Sequence, residues 1–425
     1  MNLIVDIKTK IIGSKNPLME KTLLNQILYA ESNFQVYKNI FSKISLSHED
    51  ILNKDPFHTL TKIPPLTNKE FQELITESIT GTNKIIDLEI SSGTTGKPKR
   101  RFITDKDESS ENNLLTILFN IAQLSAIDSV ACVDTGPLSL MVSFFEPLSR
   151  IPVKEYYAIS VSKNIEATIK ELNILEPTVI ISVPSILERL IKSKNSDREP
   201  WSTNLRKVIY VGEMMQESTR IELTNRRNIE VFSYYGTAET SALGIECSSH
   251  DGIHIDTDWN IIESIYSGRY QEIETGTALL TSLKQEGLPL IRYPLADSLE
   301  YLPGSCSCNK TFPKVKIVGR IKESVSLLGV KTSYKVIYDA VMKPLDSLEY
   351  MEISVTYDSN GNESITLTIP DQLKTKSDQI RKIMNTEVPE ISYLLSSGFL
   401  SLKLDFVPKD QFIERKDPFI KDMRI

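Results

Sequence analysis

One segment organises this sequence: Ser91-Ser92-Gly93-Thr94-Thr95-Gly96-Lys97-Pro98-Lys99-Arg100. It follows a strand-like run at residues 85–90. Glycine lets a backbone approach a ligand closely, and hydroxyls, bare N–H groups and Lys/Arg side chains are the donors that phosphate oxygens need. The segment therefore predicts a polyphosphate-binding loop. Taken alone, it also fits a solvated Gly/Thr hairpin loop.

The spacing of its glycines separates this loop from the Walker A type. Gly93 and Gly96 are only three residues apart, and Lys97 is followed by Pro98. A Walker A loop has four residues between its glycines and runs into a helix. Proline removes an N–H and disfavours the α region for the residue before it, so we expect the loop to return into a second strand at residues 101–104.

Composition bounds the class of protein. With 425 residues, 40% of them hydrophobic, the chain is long enough for two or more domains. A net charge of −7 argues against a general nucleic-acid or anionic-membrane surface. No run approaches the ~20 apolar residues of a membrane span, so we expect a soluble, cytoplasmic protein. Four cysteines in so long a chain do not indicate a disulfide scaffold.

The middle of the chain alternates strand and helix patterns. A helical entry at residues 21–52 and a helix capped near Thr67 precede the loop. Strands are predicted at 129–135, 156–159, 178–183, 208–211 and 229–234, with helices at 109–124, 138–146, 164–175, 185–192 and 217–225. Such alternation predicts parallel sheets covered by helices, with ligands at the carboxyl ends of the strands. Two of these ends carry chemistry: Glu213 follows one, and Tyr234-Tyr235-Gly236-Thr237-Ala238-Glu239 ends the other.

These segments resemble the ANL superfamily of adenylate-forming enzymes, closest to its phenylacetate–coenzyme A ligase-like branch. The resemblance implies that residues 91–97 hold ATP phosphates, Tyr235 stacks on adenine and Thr237 contacts phosphate. It also implies that Glu239 binds Mg²⁺, a cation that takes carboxylate and phosphate oxygens. The resemblance further implies that Glu213, Tyr234 and Gly236 belong to the same nucleotide site. The alternative for this stretch is a core aromatic beside a solvated helix start.

Three further segments continue the resemblance toward the C-terminus. Residues 288–297 resemble a motif whose aspartate, here Asp297, accepts both ribose hydroxyls, although Ala296 replaces the usual glycine. Residues 315–322 resemble the hinge motif, in which Arg320 reaches the ribose and Lys322 swivels a small C-terminal domain. Lys421 then matches the catalytic lysine, although Ile420 replaces a glycine and Lys416 lies nearby. A frayed, solvated tail is the alternative for that terminus.

A separate set of side chains indicates a metal site. Cys247, His254, Cys306 and Cys308 form two clusters about fifty residues apart. Three cysteines and one histidine are a tetrahedral ligand set for structural Zn²⁺, closed to catalytic water. His250 competes with His254 for the fourth position, and reduced bystander thiols remain the alternative. Cys132 lies in an apolar strand and is expected to be a buried core thiol.

Together these features predict an α/β fold. A large N-terminal domain (1–320) with layered, parallel-rich sheets binds ATP and the acyl substrate, and a small mobile α+β domain (321–425) carries Lys421. The predicted activity is ATP- and Mg²⁺-dependent conversion of a small carboxylic acid to an acyl-adenylate, followed by transfer to coenzyme A. A carrier-protein phosphopantetheine as acceptor, an amino acid as substrate, a homodimer and a non-catalytic nucleotide-binding homologue stay open.

Overall fold

Helices and strands alternate along most of this chain. The structure, a computed structural model, describes residues 7–11, 16–80, 84–91, 99–135, 139–161, 164–193, 203–215, 217–267, 277–320, 324–328, 330–342, 345, 351–358, 361–408 and 420–423. The helices are α1 (Pro17–Asn33), α2 (Gln35–Lys43), α3 (His48–Asn53), α4 (Pro56–Lys62), α5 (Asn68–Thr80), α6 (Asp105–Ile121), α7 (Ser139–Ser149), α8 (Ile165–Leu175), α9 (Pro184–Lys192), α10 (Glu217–Ile221), α11 (Tyr334–Met342), α12 (Ser377–Thr386) and α13 (Pro389–Ser396). The strands are β1 (Ile7–Ile11), β2 (Ile85–Ser91), β3 (Lys99–Thr104), β4 (Ser129–Asp134), β5 (Glu155–Ser160), β6 (Val179–Ser182), β7 (Lys207–Tyr210), β8 (Glu230–Thr237), β9 (Ser241–Glu246), β10 (Ile253–Ile255), β11 (Asn260–Ser267), β12 (Thr277–Ser282), β13 (Tyr293–Leu302), β14 (Lys314–Arg320), β15 (Ser324–Leu327), β16 (Val330–Ser333), β17 (Glu352–Tyr357), β18 (Glu363–Pro370), β19 (Ser401–Val407) and β20 (Ile420–Asp422).

The chain divides into two compact units. The first unit contains the described residues of Met1–Ile90, Arg100–Leu124 and Ser233–Ile321. The second unit contains those of Ser91–Lys99, Ser125–Phe232 and Lys322–Ile425. One boundary between the units, after Ile321, falls one residue from the predicted domain boundary. The division into domains 1–320 and 321–425 nevertheless stays a prediction, because the C-terminal segment shares a unit with the β/α segment.

The first unit is built on an antiparallel sheet. Its strand order is β1-β11-β12-β13-β14-β10-β9-β8. Helices from the N-terminal segment contribute Leu23, Tyr37 and Phe41 to the core of this unit, and the strands contribute Ile261 and Leu280. Burial of such side chains is the main stabilising contribution, about 1.5–3 kcal/mol for each large apolar residue.

Helix α6 follows the predicted phosphate loop and is fixed at its start. Thr104 is its N-cap and forms a capping box with Asp107, which satisfies two backbone N–H groups of the first turn. The Asp107 carboxylate also accepts hydrogen bonds from the backbone N–H groups of Glu286 (2.6 Å) and Gly287 (2.8 Å). One buried carboxylate thus ties the helix start to the loop after β12.

The second unit contains the predicted parallel sheet, with strand order β7-β6-β4-β5. Val179, Ile180 and Ile181 of β6 are fully buried, as expected for a strand covered on both faces. Asp128 precedes β4 and accepts hydrogen bonds from Thr178 (3.0 Å) and from Arg206 (2.6 Å). This carboxylate links the starts of three neighbouring strands.

The C-terminal segment of the second unit forms a sheet of its own, in the order β19-β18-β17-β20. β17 and β18 are antiparallel, whereas β19 and β20 are parallel to their neighbours. Helix α9 contacts this segment through two cations. The Lys192 ammonium lies 3.3 Å from the ring centroid of Tyr357, and the Arg189 guanidinium lies 5.5 Å from that of Phe399.

The predicted α/β fold is confirmed, with two refinements. The helical pattern at 21–52 is divided by Phe34, whose extended backbone (φ −125°, ψ 121°) ends α1 and begins α2. Most of the antiparallel strands of the first unit are not predicted by the sequence patterns. None of the helices in the described ranges combines the length and apolar character needed to cross a bilayer.

Candidate active site and metal cluster

The segment Tyr235–Glu239 lies at the end of β8 and in the turn to β9. Gly236 is required there by close packing, since a Cβ at this position would lie 2.3 Å from the Ser241 carbonyl oxygen. The Thr237 hydroxyl lies 2.9 Å from the Thr240 hydroxyl across the turn. The sequence therefore forms a tight strand-turn-strand unit that holds the candidate phosphate and cation residues at a strand end.

Glu239, the predicted Mg²⁺ residue, is buried rather than solvated. Its carboxylate Oε1 accepts a hydrogen bond from the Tyr293 hydroxyl at 2.7 Å, and its backbone carbonyl accepts one from the Gln285 side chain at 2.9 Å. The side chain is 6% exposed. A buried carboxylate held by a neutral donor is a fit for a hard cation, which prefers oxygen ligands of fixed geometry.

Asp297, the predicted ribose residue, lies close to Tyr235. The Tyr235 hydroxyl donates to Oδ2 of Asp297 at 3.1 Å, and both side chains are buried. Arg320 stands directly opposite Asp297 on the neighbouring strand β14. Residues opposite one another in an antiparallel pair have their Cβ atoms about 5 Å apart. The strand register thus brings together the two positions assigned to the ribose.

Tyr234 lies beside Tyr235 and is partly buried. Burial raises the pKa of the Tyr234 hydroxyl well above its usual value, and the nearby Glu111 carboxylate raises that pKa further. Glu111 and Glu89 both pair with Arg101, whose side chain is almost fully buried. Tyr234 therefore remains a neutral hydroxyl beside an ion-paired cluster.

Glu213 belongs to the second unit and follows β7. Gly212 precedes it in a left-handed conformation (φ +78°), which favours glycine. The Glu213 carboxylate accepts from the Ser185 backbone N–H (3.1 Å) and from the Ser185 hydroxyl (3.2 Å), at the start of α9. Met214, which follows, is 56% exposed. Glu213 thus caps α9 within its own unit.

Several predicted site residues lie outside the described residues. They are Ser92, Gly93, Thr94, Thr95, Gly96, Lys97, Lys322 and Lys416. For Ser91, Arg320 and Lys421 the strand positions alone are described. Lys421 lies in β20, in register with Ser354 of the parallel neighbour β17. The flanking strands β2 and β3 pair in a two-stranded sheet, as the strand-loop-strand prediction requires.

The predicted zinc residues are brought together. The ligand atoms of Cys247, His254, Cys306 and Cys308 all lie within 4.8 Å of one another. Strand β10 contains His254. It pairs with β9, which ends just before Cys247, and with β14, which follows the loop that contains Cys306 and Cys308. Of the two histidines considered, His254 is the one in the cluster. The strand ladder therefore makes one tetrad from two distant clusters.

Two distances within the tetrad are close to those between ligand atoms of a zinc site. Cys247 and Cys306 sulfurs are 3.6 Å apart, and the Cys308 sulfur is 3.4 Å from Nε2 of His254. Zn–S bonds of 2.3 Å and Zn–N bonds of 2.0–2.1 Å in a tetrahedron place such atoms about 3.6–3.8 Å apart. Nδ1 of His254 lies 3.0 Å from the Phe312 carbonyl oxygen. That contact places the ring proton on Nδ1 and turns the Nε2 lone pair toward the sulfurs.

The surroundings of the tetrad favour the thiolate at Cys306 but not at Cys308, where burial raises the pKa of the thiol to about 11. Burial opposes ionisation of Cys306, but hydrogen bonds from the Cys308 backbone N–H and from Ser249 lower its pKa to about 6. The Lys314 ammonium pairs with Asp251, and this pair together with the nearby sulfurs of Cys306 and Cys247 raises the pKa of Lys314. Cys132 lies elsewhere, in β4, where burial raises the pKa of its thiol. The prediction of a core thiol at Cys132 is confirmed.

Two contributors to the site were missed from the sequence. Tyr293 lies within the motif at residues 288–297 but has no predicted role, and Gln285 lies outside the motifs. Both touch Glu239. The spacing Tyr-x-x-x-acid occurs at Tyr235 and Glu239 and again at Tyr293 and Asp297, and this repeat was the available signal.

Comparison with known proteins supports the family resemblance. The family model "AMP-binding enzyme" matches residues 43–267, just over half of the chain. A phenylacetate-coenzyme A ligase of Pseudomonas putida is 26% identical over 204 residues, which are 46% of each chain. This match thus spans about half the length of that relative. The phenylacetate-coenzyme A ligase of Escherichia coli (strain K12) is 22% identical over 79% of this chain and 78% of its own.

A solved structure of 2-hydroxyisobutyryl-CoA ligase, in complex with 2-HIB-AMP and CoA, has the same fold. Its TM-score is 0.77 at 15% identity, and the superposition covers 97% of this chain and 91% of that one. The resemblance drawn from the sequence motifs is therefore confirmed. The chain belongs to the AMP-binding enzyme family.

Proposed function

We propose that this protein activates a small carboxylic acid with ATP and transfers the acyl group to the thiol of coenzyme A. One observation carries the proposal: Glu239 and Asp297, the residues assigned to the cation and the ribose, are both buried and hydrogen-bonded to tyrosines of the other's segment. Buried carboxylates are costly unless they are paired or bind a ligand, so this arrangement supports a nucleotide site. The relatives named above support the reaction class.

In the first half-reaction, a carboxylate oxygen of the acid attacks the α-phosphorus of ATP. The bond between the α-phosphorus and the bridging oxygen breaks, so that acyl-AMP forms and pyrophosphate leaves. Residues 91–97 and Thr237 would hold the phosphates, and Asp297 and Arg320 the ribose. Lys421 would contact the α-phosphate and the substrate oxygens. Mg²⁺, held through Glu239, would supply charge neutralisation at the phosphates. Catalysis is then positioning and electrostatics.

In the second half-reaction, the thiol sulfur attacks the acyl carbon. The acyl–phosphate bond breaks, AMP leaves, and the thiol proton is released. Lys322, at the boundary between the predicted domains, would act as the hinge that presents different faces of the C-terminal domain in the two steps. A carrier-protein phosphopantetheine presents the same thiol and is the alternative acceptor.

The test is product analysis by mass spectrometry. The protein is incubated with ATP, Mg²⁺ and a panel of aryl, hydroxy, fatty and amino acids, with either free coenzyme A or a holo-carrier protein. We expect AMP and one acyl-CoA thioester, with no loading of the carrier. If only the carrier protein is loaded, the acceptor is the carrier phosphopantetheine instead of coenzyme A, and the proposed reaction class still holds. ADP rather than AMP as the nucleotide product would overturn the proposal.

We also propose that Cys247, His254, Cys306 and Cys308 hold one structural Zn²⁺. The support is the tetrahedral spacing of three sulfurs and one imidazole nitrogen, with the other ring nitrogen occupied by a backbone carbonyl. Bound zinc would fix the loop between β13 and β14 onto β9 and β10. Three cysteinyl ligands close such a site to catalytic water, so its contribution would be to folding.

A further inference from the structure

Two tyrosines in the first unit are bonded crosswise to two acids. Tyr235 and Glu239 are four residues apart, as are Tyr293 and Asp297. The hydroxyl of Tyr293 donates to Glu239 at 2.7 Å, and the hydroxyl of Tyr235 donates to Asp297 at 3.1 Å. Each segment therefore supplies one donor and one acceptor to the other. We call these four side chains the tyrosine–acid exchange.

The exchange is shielded from water. Tyr235 and Asp297 are 3% exposed, and Tyr293 and Glu239 are 6% exposed. In such surroundings a hydrogen bond to a carboxylate is stronger than in water, and losing it leaves a buried acceptor unsatisfied.

The exchange joins strands that are not neighbours. In the sheet of the first unit, β8 and β13 are separated by β9, β10 and β14. At about 4.8 Å per strand, a flat sheet would place β8 and β13 about 19 Å apart. The observed hydrogen bonds require the sheet to curl until the two tyrosines reach across. The two hydrogen bonds therefore connect the two sides of the curled sheet at the point where the two acids lie.

The start of β13 is anchored independently of the exchange. Arg292 adopts a left-handed backbone (φ 52°), and its guanidinium donates to Glu263 at 2.9 Å and to the Ile63 carbonyl. The Tyr293 ring packs on Phe71 with centroids 4.9 Å apart. Because Tyr293 is held on both sides, its hydroxyl presents a fixed donor to Glu239.

We propose that Tyr293 and Tyr235 are positioning residues with separate ligands: Tyr293 orients Glu239 for the divalent cation, and Tyr235 orients Asp297 for the ribose hydroxyls of ATP. The inference rests on the proposed function and deepens it. A carboxylate has about four lone-pair sites, so one tyrosine hydroxyl can fix its orientation without filling all of them. The two acids bind different ligand groups, the divalent cation and the ribose. The effects of removing the two hydrogen bonds are therefore separable.

The test measures binding rather than turnover. Mn²⁺ binding to the protein–ATP complex is measured by electron paramagnetic resonance, and the affinities for ATP and 2′-deoxy-ATP are measured by calorimetry. The variants are Tyr293→Phe and Tyr235→Phe. Tyr37→Phe is the matched control for loss of a buried hydroxyl beside the same segment. Tyr37 is fully buried in the same unit, and its hydroxyl bonds to backbone groups, since it donates to the Pro289 carbonyl (2.8 Å) and accepts from the Ile291 N–H (3.0 Å). Thermal unfolding establishes that each variant is folded.

We expect each variant to impair one binding property and to leave the other unchanged. Tyr293→Phe should weaken Mn²⁺ binding about tenfold, the lower range for a residue that orients a metal ligand, and leave the ATP to 2′-deoxy-ATP ratio unchanged. Tyr235→Phe should reduce that ratio about tenfold with Mn²⁺ affinity retained. Wild-type values in both variants, or the same loss of both properties in all three variants, would overturn the inference and leave the proposed function standing. Wild-type protein that binds no ATP would overturn both.

Discussion

Nε2 of His254 lies 3.4 Å from the sulfur of Cys308, although 54 residues separate them in the sequence. The contact exists because β10 pairs with β14 and so brings His254 to the loop before β14. A histidine held by a backbone carbonyl on one nitrogen and facing sulfurs with the other is the usual arrangement of a metal ligand.

We therefore predict one zinc per chain in freshly purified protein. Cys306→Ser should lose the metal and lower the unfolding midpoint by about 5–10 °C, since structural zinc contributes folding free energy and about 2–4 °C corresponds to 1 kcal/mol in domains of 150–250 residues. Elemental analysis and calorimetry are the measurements. Cys132→Ser is the control for metal content, because Cys132 is another buried thiol and is remote from the tetrad in sequence. Freshly purified wild-type protein that contains no zinc, and whose unfolding midpoint does not change when zinc is added, would refute the prediction.

A second prediction concerns Asp128 and pH. Burial alone would raise the pKa of Asp128, but hydrogen bonds from Arg206 and Ser125 outweigh it and hold the pKa below the usual 3.8. Because the pKa is lower in the folded state than in the unfolded state, the stabilisation is present above about pH 4 and is lost as the pH falls through the folded-state pKa. Asp128→Asn should cost about 2 kcal/mol at pH 7, the value of hydrogen bonds to a buried charge.

Urea unfolding at pH 7, 5, 4 and 3 measures this effect. The stability difference between wild type and Asp128→Asn should be constant down to pH 5 and narrow below pH 4. Asp371→Asn, at an exposed position in the same unit, serves as the control. A difference that widens on acidification would show that Asp128 is not stabilised as a carboxylate.

A third prediction concerns the contact of α9 with the C-terminal segment. Lys192 and Arg189 lie over Tyr357 and Phe399, and cation–π contacts are worth about 0.5–2 kcal/mol each. Replacing both cations by alanine should speed hydrogen exchange of the β17 amides by about tenfold through local opening. Lys170→Ala, an exposed lysine on α8, should leave those amides unchanged. Unaltered β17 protection in the double variant would mean that the two cations do not hold this segment.

A fourth prediction separates two lysines near the C-terminus. Lys421→Ala should lower the rate of acyl-AMP formation by at least about a hundredfold, the scale of losing one well-placed electrostatic donor. Thioester formation from presynthesised acyl-AMP and coenzyme A should stay near the wild-type rate, since the lysine acts in the first transition state. Lys416→Ala is the control. The reverse pattern, with the adenylation defect in Lys416→Ala, would move the assignment to Lys416.

Much of the fold follows from local patterns in the sequence. Buried parallel strands such as β6 consist mainly of consecutive apolar residues. This pattern can be recognised without knowing which strands pair with it. The break at Phe34 was not predictable, because the apolar spacing continues across it and only the backbone changes. Short strands such as β10 (Ile253–Ile255) carry too few residues to show a period.

The sequence motifs indicate candidate members of the site but not the contacts between them. The motif around Tyr235 and Glu239 identifies both residues, yet the bond between Tyr293 and Glu239 depends on the curl of a sheet that spans many strands. The choice of His254 over His250 depended on strand register in the same way. A local motif indicates which residue types a site contains. Contacts between distant segments depend on strand pairing, which a single sequence does not display.

The proposed function requires that this chain forms acyl-adenylates. The direct measurement is acid-dependent exchange of radiolabelled pyrophosphate into ATP, because label enters ATP only if acyl-AMP formation is reversible on the protein. The screen uses a panel of aryl, hydroxy, fatty and amino acids without coenzyme A. We predict exchange with a small carboxylic acid, dependent on Mg²⁺ and abolished in Glu239→Ala. Binding of ATP with Mg²⁺ but no exchange for any acid in the panel would contradict the account and indicate a non-catalytic nucleotide-binding protein.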